Sequence, residues 1–137
     1  MTAPTLATTW VRVCALEDLA VERGAAALVD DVQVALVRLV DDTVLAVQQL
    51  DPFCGSYVMS RGIVGSRAVD GVSVPTLASP MYKQVFDLRT GSCLDTVGRV
   101  PLDGQDADLR TWPVRVVAGV VEVGAGADAA PGAGTTS

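Results

Sequence analysis

The stretch Val114-Arg115-Val116-Val117-Ala118-Gly119-Val120-Val121-Glu122-Val123 reads as two short strands around a two-residue turn. Valine is stiff at χ1 and suits a pleated surface. Two such runs separated by Ala118-Gly119 have the spacing of a β-hairpin. The same texture extends upstream. Trp10-Val11-Arg12-Val13-Cys14 alternates as a half-buried strand does, and a short turn, Leu16-Glu17-Asp18-Leu19, follows it. Ala26–Val29, Gln33–Leu39 and Thr43–Gln48 are strand candidates broken at Asp30-Asp31 and Asp41-Asp42. Short carboxylates accept hydrogen bonds from nearby backbone amides, so paired aspartates suit tight turns, and the last two of these strands form a hairpin. Gly62–Arg67 and Val72–Ala78 flank the turn Val69-Asp70-Gly71, and Val85–Leu88 and Ser92–Leu94 flank Arg89-Thr90-Gly91. No window holds a 3.6-residue period without meeting Gly or Pro. The chain is therefore all-β, a small antiparallel sandwich or barrel. Strand order is not visible in the pattern.

A length of 137 residues favours one domain. With 50% hydrophobic and 19% charged residues, the composition is that of a folded chain. Residues 1–8 and 124–137 are built of small and polar residues that offer little to bury, so they are expected to be disordered tails around a folded unit of 9–123. The chain has no histidine. That excludes Ser-His-Asp and Cys-His nucleophile systems, an imidazole base and any His-ligated metal. A net charge of −6 argues against nucleic acid and anionic membranes as partners. No apolar run reaches the roughly 20 residues of a membrane span. Met1–Thr9 lacks a basic segment leading into an apolar one, and Cys14, Cys54 and Cys93 make a poor disulfide framework. A cytoplasmic location is expected. The paired aspartates lack the D-x-D-x-D-G pattern of a calcium loop, and no G-x-G-x-x-G follows a strand. Trp10 and Trp112 read as packing residues. No catalytic or cofactor-binding set emerges.

Two loops interrupt the strands: Asp51-Pro52-Phe53-Cys54-Gly55-Ser56, and Ser79-Pro80-Met81-Tyr82-Lys83-Gln84 leading into Val85-Phe86-Asp87-Leu88-Arg89-Thr90-Gly91. Each begins with an X-Pro step, which favours an extended or turn conformation. The pair resembles the two loops of a Rieske iron–sulfur domain. Such a domain carries C-x-H in one loop and C-x-x-H in the other, the second commonly continuing into F-D-L-x-T-G. Here the frame Phe86–Gly91 and both prolines remain, while Asp51 and Ser79 stand at the cysteine positions and Phe53 and Tyr82 at the histidine positions. Phenylalanine has no donor atom, and neutral serine and tyrosine are weak ligands for iron–sulfur chemistry. Cys54 lies one residue outside the frame, and Cys14 and Cys93 lie outside both loops. No iron–sulfur cluster is expected in this chain.

A Rieske-like β fold stripped of its ligands is similar to the small subunit of NAD(P)H-dependent nitrite reductase. Ser60-Arg61-Gly62-Ile63-Val64-Gly65, Lys83-Gln84-Val85-Phe86-Asp87-Leu88 and Trp112-Pro113-Val114-Arg115-Val116 carry the similarity together with the two loops. The stretch Asp103–Arg110 departs from it as a small acidic insertion. The resemblance implies a Rieske-like sandwich with the two loops at one tip, in a cytoplasmic complex of nitrate assimilation that reduces nitrite to ammonium. It implies a large-subunit partner carrying FAD, an iron–sulfur cluster and sirohaem, with this chain supporting its assembly or activity. A Rieske-type electron carrier and a stand-alone β module serving another reductase or oxygenase are the competing readings. At the tip, Phe53 and Tyr82 are expected to fill the volume of the lost ligands, with Asp51 hydrogen-bonded to Ser79 or nearby amides. Met81, Tyr82 and Lys83, with Arg61, form either a partner contact or an ordinary core and solvated rim.

Overall fold

The computed structural model describes residues 9–125. The expected tails 1–8 and 126–137 lie outside the described residues. Among the described residues there are eleven strands: β1 (Thr9–Ala15), β2 (Gly24–Val29), β3 (Val32–Arg38), β4 (Val44–Gln48), β5 (Ile63–Val69), β6 (Val72–Ala78), β7 (Val85–Asp87), β8 (Cys93–Asp95), β9 (Thr111–Trp112), β10 (Val114–Val117) and β11 (Val120–Ala125). Single 3-10 turns span Leu16–Asp18 and Met59–Arg61. Among the described residues, no helix is long and apolar enough to cross a membrane.

Turn chemistry sets the hairpins. The two-residue connections Asp30-Asp31, Asp70-Gly71 and Ala118-Gly119 all have positive φ at both positions. That is the type I′ geometry, whose twist matches the flanking strands, and Asp and Gly tolerate it best. The hairpins β2–β3, β5–β6 and β10–β11 follow from these three turns.

The strands assemble into three antiparallel sheets, ordered β1-β11-β10, β2-β3-β4-β9 and β5-β6-β7-β8. The middle sheet is covered on both faces, so its strands are apolar at consecutive positions rather than alternate ones. Along β3, Val34 and Leu36 enter one core with Val121, Val123 and Trp112. Ala35 and Val37 enter the other with Phe53, Met59, Leu77 and Phe86. The period-two geometry of a strand divides four adjacent side chains between two cores.

The structure extends two sequence expectations. β11 continues through Gly124 and Ala125, which pair with Trp10 and Thr9 of β1, two residues past the boundary drawn at 123. Backbone pairing needs no large side chain, which is why composition did not mark it. The stretch 103–110 is integrated as well. Leu109 is buried and donates its N–H to the Gly91 carbonyl at 2.8 Å, and the Asp108 carboxylate accepts the Cys93 N–H at 2.7 Å. It ties β8 to β9, a two-residue strand that leaves no pattern in the sequence.

Candidate functional site

Three turns of one design recur in the chain: those starting at Asp51 and Ser79 meet at one end of the third sheet, and the one starting at Asp87 closes the opposite end of β7. Asp51 donates its N–H to the Ser56 carbonyl and accepts the Gly55 N–H, both at 2.8 Å. Ser79 does the same with Gln84 (2.9 Å) and Lys83 (3.2 Å), and Asp87 with Ser92 (2.8 Å) and Gly91 (2.7 Å). The fifth residue of each turn has positive φ: Gly55 at 81°, Lys83 at 67° and Gly91 at 82°. In each, the first side chain accepts the N–H two residues on: Phe53 to Asp51 Oδ1 (2.8 Å), Met81 to Ser79 Oγ (3.1 Å) and Arg89 to Asp87 Oδ1 (2.8 Å). Asp and Ser are among the residues able to close such a turn from their own side chain. Gly91 has no substitute, because a Cβ there would stand 1.9 Å from the Leu109 carbonyl oxygen.

The first two turns are joined directly. Ser79 Oγ donates to Asp51 Oδ2 at 2.5 Å, and both residues are fully buried. Asp51 thus has both oxygens engaged, as a buried carboxylate requires. Beneath this link Phe53 is buried and meets Phe86 with ring centroids 6.2 Å apart and planes tilted by 54°. The third turn carries its own ion pair, Arg89 to Asp87 at 2.9 Å. Burial alone pushes the Asp87 carboxyl up. The Arg89 guanidinium and the backbone N–H groups of Arg89 and Thr90 outweigh it and hold the pKa below the ordinary carboxylate value.

A strap running on from β8 lies over both loops. Leu102 donates its N–H to the Pro52 carbonyl at 2.9 Å, and the Arg99 guanidinium sits 3.8 Å from the centroid of the Tyr82 ring. Val97 in this strap has φ of 48°, unusual for a β-branched residue, with its N–H held by Asp95 Oδ1.

Residues 9–124 match the family model of the Rieske-like [2Fe-2S] domain. The chain belongs to the Rieske-like family. It is 32% identical over 115 residues to the nitrite reductase (NADH) small subunit of Escherichia coli K12, covering 83% of this chain and 95% of that one. It belongs with these small subunits too. A crystal structure described as a candidate NADH-dependent nitrite reductase small subunit from Mycobacterium tuberculosis has a TM-score of 0.73 and 41% identity, over 88% of this chain and 98% of that one. A nitrite reductase [NAD(P)H] large subunit of Klebsiella oxytoca is 35% identical over 115 residues. There the chain matches 84% of its own length but only 11% of the relative's.

In this Rieske-like chain the tip residues do not fit the iron–sulfur cluster of the family. Phe53 presents carbon only and faces the core. Asp51 and Ser79 are hard oxygen donors already spent on each other and on backbone N–H groups. Among the described residues, no three of the Cys, Asp and Glu side chains gather as a metal site. The Asp51–Ser79 hydrogen bond takes the place of the metal as the tie between the loops. Phe53 fills the interior as expected. Tyr82 does not. It is 38% exposed and is covered from outside by Arg99, because the Asp51–Ser79 link closes the space beneath it.

The four residues singled out for partner contact separate into two places. Met81, Tyr82 and Lys83 stand exposed on the second loop, with Met81 at 49%. Arg61 lies elsewhere, in a cleft with Glu22 and Arg23. The sequence reading missed Arg99 and Leu102, which complete the tip from the strap. It also missed Asp87 as a third closing residue, although the repeated Asp-Pro, Ser-Pro and Asp-Leu steps, each with Gly or Lys three residues further on, carried that signal.

Proposed function

We propose that this chain is the non-redox small subunit of a nitrite reductase [NAD(P)H] and works by contact with the large subunit. The reaction served is assimilatory reduction of nitrite to ammonium with electrons from NADH or NADPH, in the cytoplasm. FAD, an iron–sulfur cluster and sirohaem belong to the large subunit, and this chain supplies no redox step. The observation that carries the reading is the closed tip. Asp51 and Ser79 bond to each other where a cluster would need thiolates, and Phe53 is committed to the core where it would need an imidazole. A domain built this way can serve an electron-transfer complex through its surface alone. Support for the partner comes from the Klebsiella large subunit, in which a segment similar to this chain is part of the large polypeptide itself. Met81, Tyr82 and Lys83, with Arg99 and Leu102 beside them, form one contact face. Aromatic and basic side chains are frequent interface anchors.

Co-expression with a sirohaem-containing large subunit tests the reading. The expected result is co-purification, with iron in the complex equal to that of the large subunit alone. Failure to co-purify, or iron that travels with this chain when the two are separated, would overturn it.

A further inference from the structure

The chain has ten Lys and Arg residues against sixteen Asp and Glu. Seven of the cations rest on a carboxylate, a backbone carbonyl or an aromatic ring. The three with no such partner among the described residues are Arg23, Arg61 and Arg67. Arg23 and Arg61 line a cleft of about 370 Å³ between the start of β2 and the start of β5, and Arg67 lies further along β5. Glu22 stands in the same cleft, so its net charge is positive only because two guanidiniums share it.

The cleft is built rather than incidental. The turn Met59–Arg61 is fixed by Gln49, whose amide accepts the Ser60 N–H at 2.7 Å and donates to Ser60 Oγ at 2.9 Å. The Met59 N–H bonds the Gln49 carbonyl at 3.0 Å. Glycines allow the close seating: a Cβ on Gly24 would stand 2.3 Å from the Ser60 oxygen, and one on Gly62 2.4 Å from the Ala78 oxygen. What this rigid turn presents outward is Arg61, beside Arg23.

β5 is the free edge of its sheet. Its pairing with β6 is continuous over seven residues, with neither a bulge nor a proline in β5 to blunt it. Such an edge is a template for an added strand. In a two-residue hairpin the flanking pair, Val69 and Val72, is hydrogen-bonded. Alternation then turns the N–H and C=O of Ser66 and Ala68 away from β6. Ile63, at 62% exposed, supplies apolar surface at the cleft end.

We infer that an extended, acidic segment of the large subunit adds to the β5 edge and places carboxylates against Arg67, Arg61 and Arg23. This rests on the small-subunit reading above. Backbone bonds along Ser66 and Ala68 supply affinity, and the three guanidiniums select an acidic sequence and set its register. A second copy of this chain fits the edge poorly, because antiparallel pairing of two β5 strands brings like charges together.

The test is calorimetric titration of the intact chain with the purified large-subunit holoenzyme, combined with amide hydrogen exchange. In the complex, the Ser66 and Ala68 amides should exchange more slowly than in the free chain. The variant Arg23→Glu/Arg61→Glu/Arg67→Glu should weaken binding at least about tenfold, and Ser66→Pro, which removes one outward N–H, by a similar factor. Thermal melts establish that each variant is folded, and the exchange measurement needs no variant. A complex whose affinity is unchanged by both variants, with Ser66 and Ala68 exchanging at the free rate, overturns the inference and leaves the subunit role standing. Protection of these amides in the isolated chain, with a dimeric mass, overturns it in favour of self-pairing. No complex with the wild-type chain defeats the functional reading, and the inference with it.

Discussion

Replacing Phe53 by alanine removes the side chain that stands where the family carries a cluster ligand. Phe53 is 4% exposed and lies in the core shared by the middle and third sheets, against Phe86 and among Val37, Val47, Met59 and Leu77. Apart from Met59, which is on the 3-10 turn, these neighbours sit on strands of two different sheets, so they cannot collapse freely into the space. Phe→Ala changes in such surroundings cost about 3–5 kcal/mol. For a domain of this size each kcal/mol lowers the melting temperature by about 4 °C, so Phe53→Ala should melt roughly 10–20 °C below the wild type. Phe53→Leu, which leaves a smaller void, should lose less than half as much. The assay is thermal unfolding followed by circular dichroism, with calorimetry to check that the transition stays two-state. A melting temperature unchanged for Phe53→Ala would refute the claim that this ring fills the tip.

Three further outcomes follow from the same geometry. Ser79→Ala leaves Asp51 Oδ2 and the Met81 N–H without their partner and should cost about 2–3 kcal/mol in denaturant melts; Asp51→Ala/Ser79→Ala should cost clearly less than the two single changes together, and strict additivity would contradict the inter-loop bond. Because the folded Asp87 carboxyl is held below its ordinary pKa, its contribution is present above the unfolded value of about 3.9 and is lost as pH falls through the depressed folded value. Asp87→Asn should therefore flatten the acid limb of the stability curve, and an unchanged acid limb would contradict the Arg89–Asp87 pairing. The Gln84 amide is fully buried with neither its nitrogen nor its oxygen hydrogen-bonded among the described residues. Gln84→Met, similar in shape without the polar atoms, should raise stability by about 1 kcal/mol in urea unfolding, and a loss of stability would show that the amide does have a partner.

The hairpins were legible because their information is local. Asp30-Asp31, Asp70-Gly71 and Ala118-Gly119 declare their turns, and valine-rich flanks declare the strands. The ligand positions were legible for a different reason: Phe86–Gly91 and the two X-Pro steps fix the frame in which Asp51, Phe53, Ser79 and Tyr82 fall. Strand order was not legible, since β1 meets β11 across most of the chain and β4 meets β9 across about half of it. The role of 103–110 was hidden in the same way. Its contacts run from backbone and Asp108 to Gly91, Cys93 and Gln48, and composition showed only an acidic stretch. The seat of Tyr82 under Arg99 was not legible, because the strap that brings Arg99 there is held by a long-range bond from Leu102 to Pro52.

Contact, with no metal of its own, is the proposed means by which a chain of this fold serves nitrite reduction. Its most direct test is titration of the purified large-subunit holoenzyme with iron-free chain, reading NAD(P)H-dependent nitrite consumption. The rate should rise with added chain and saturate at a fixed ratio of the two. A rate unaffected by the chain, or one that rises only after iron and sulfide are built into it, would contradict a role by contact.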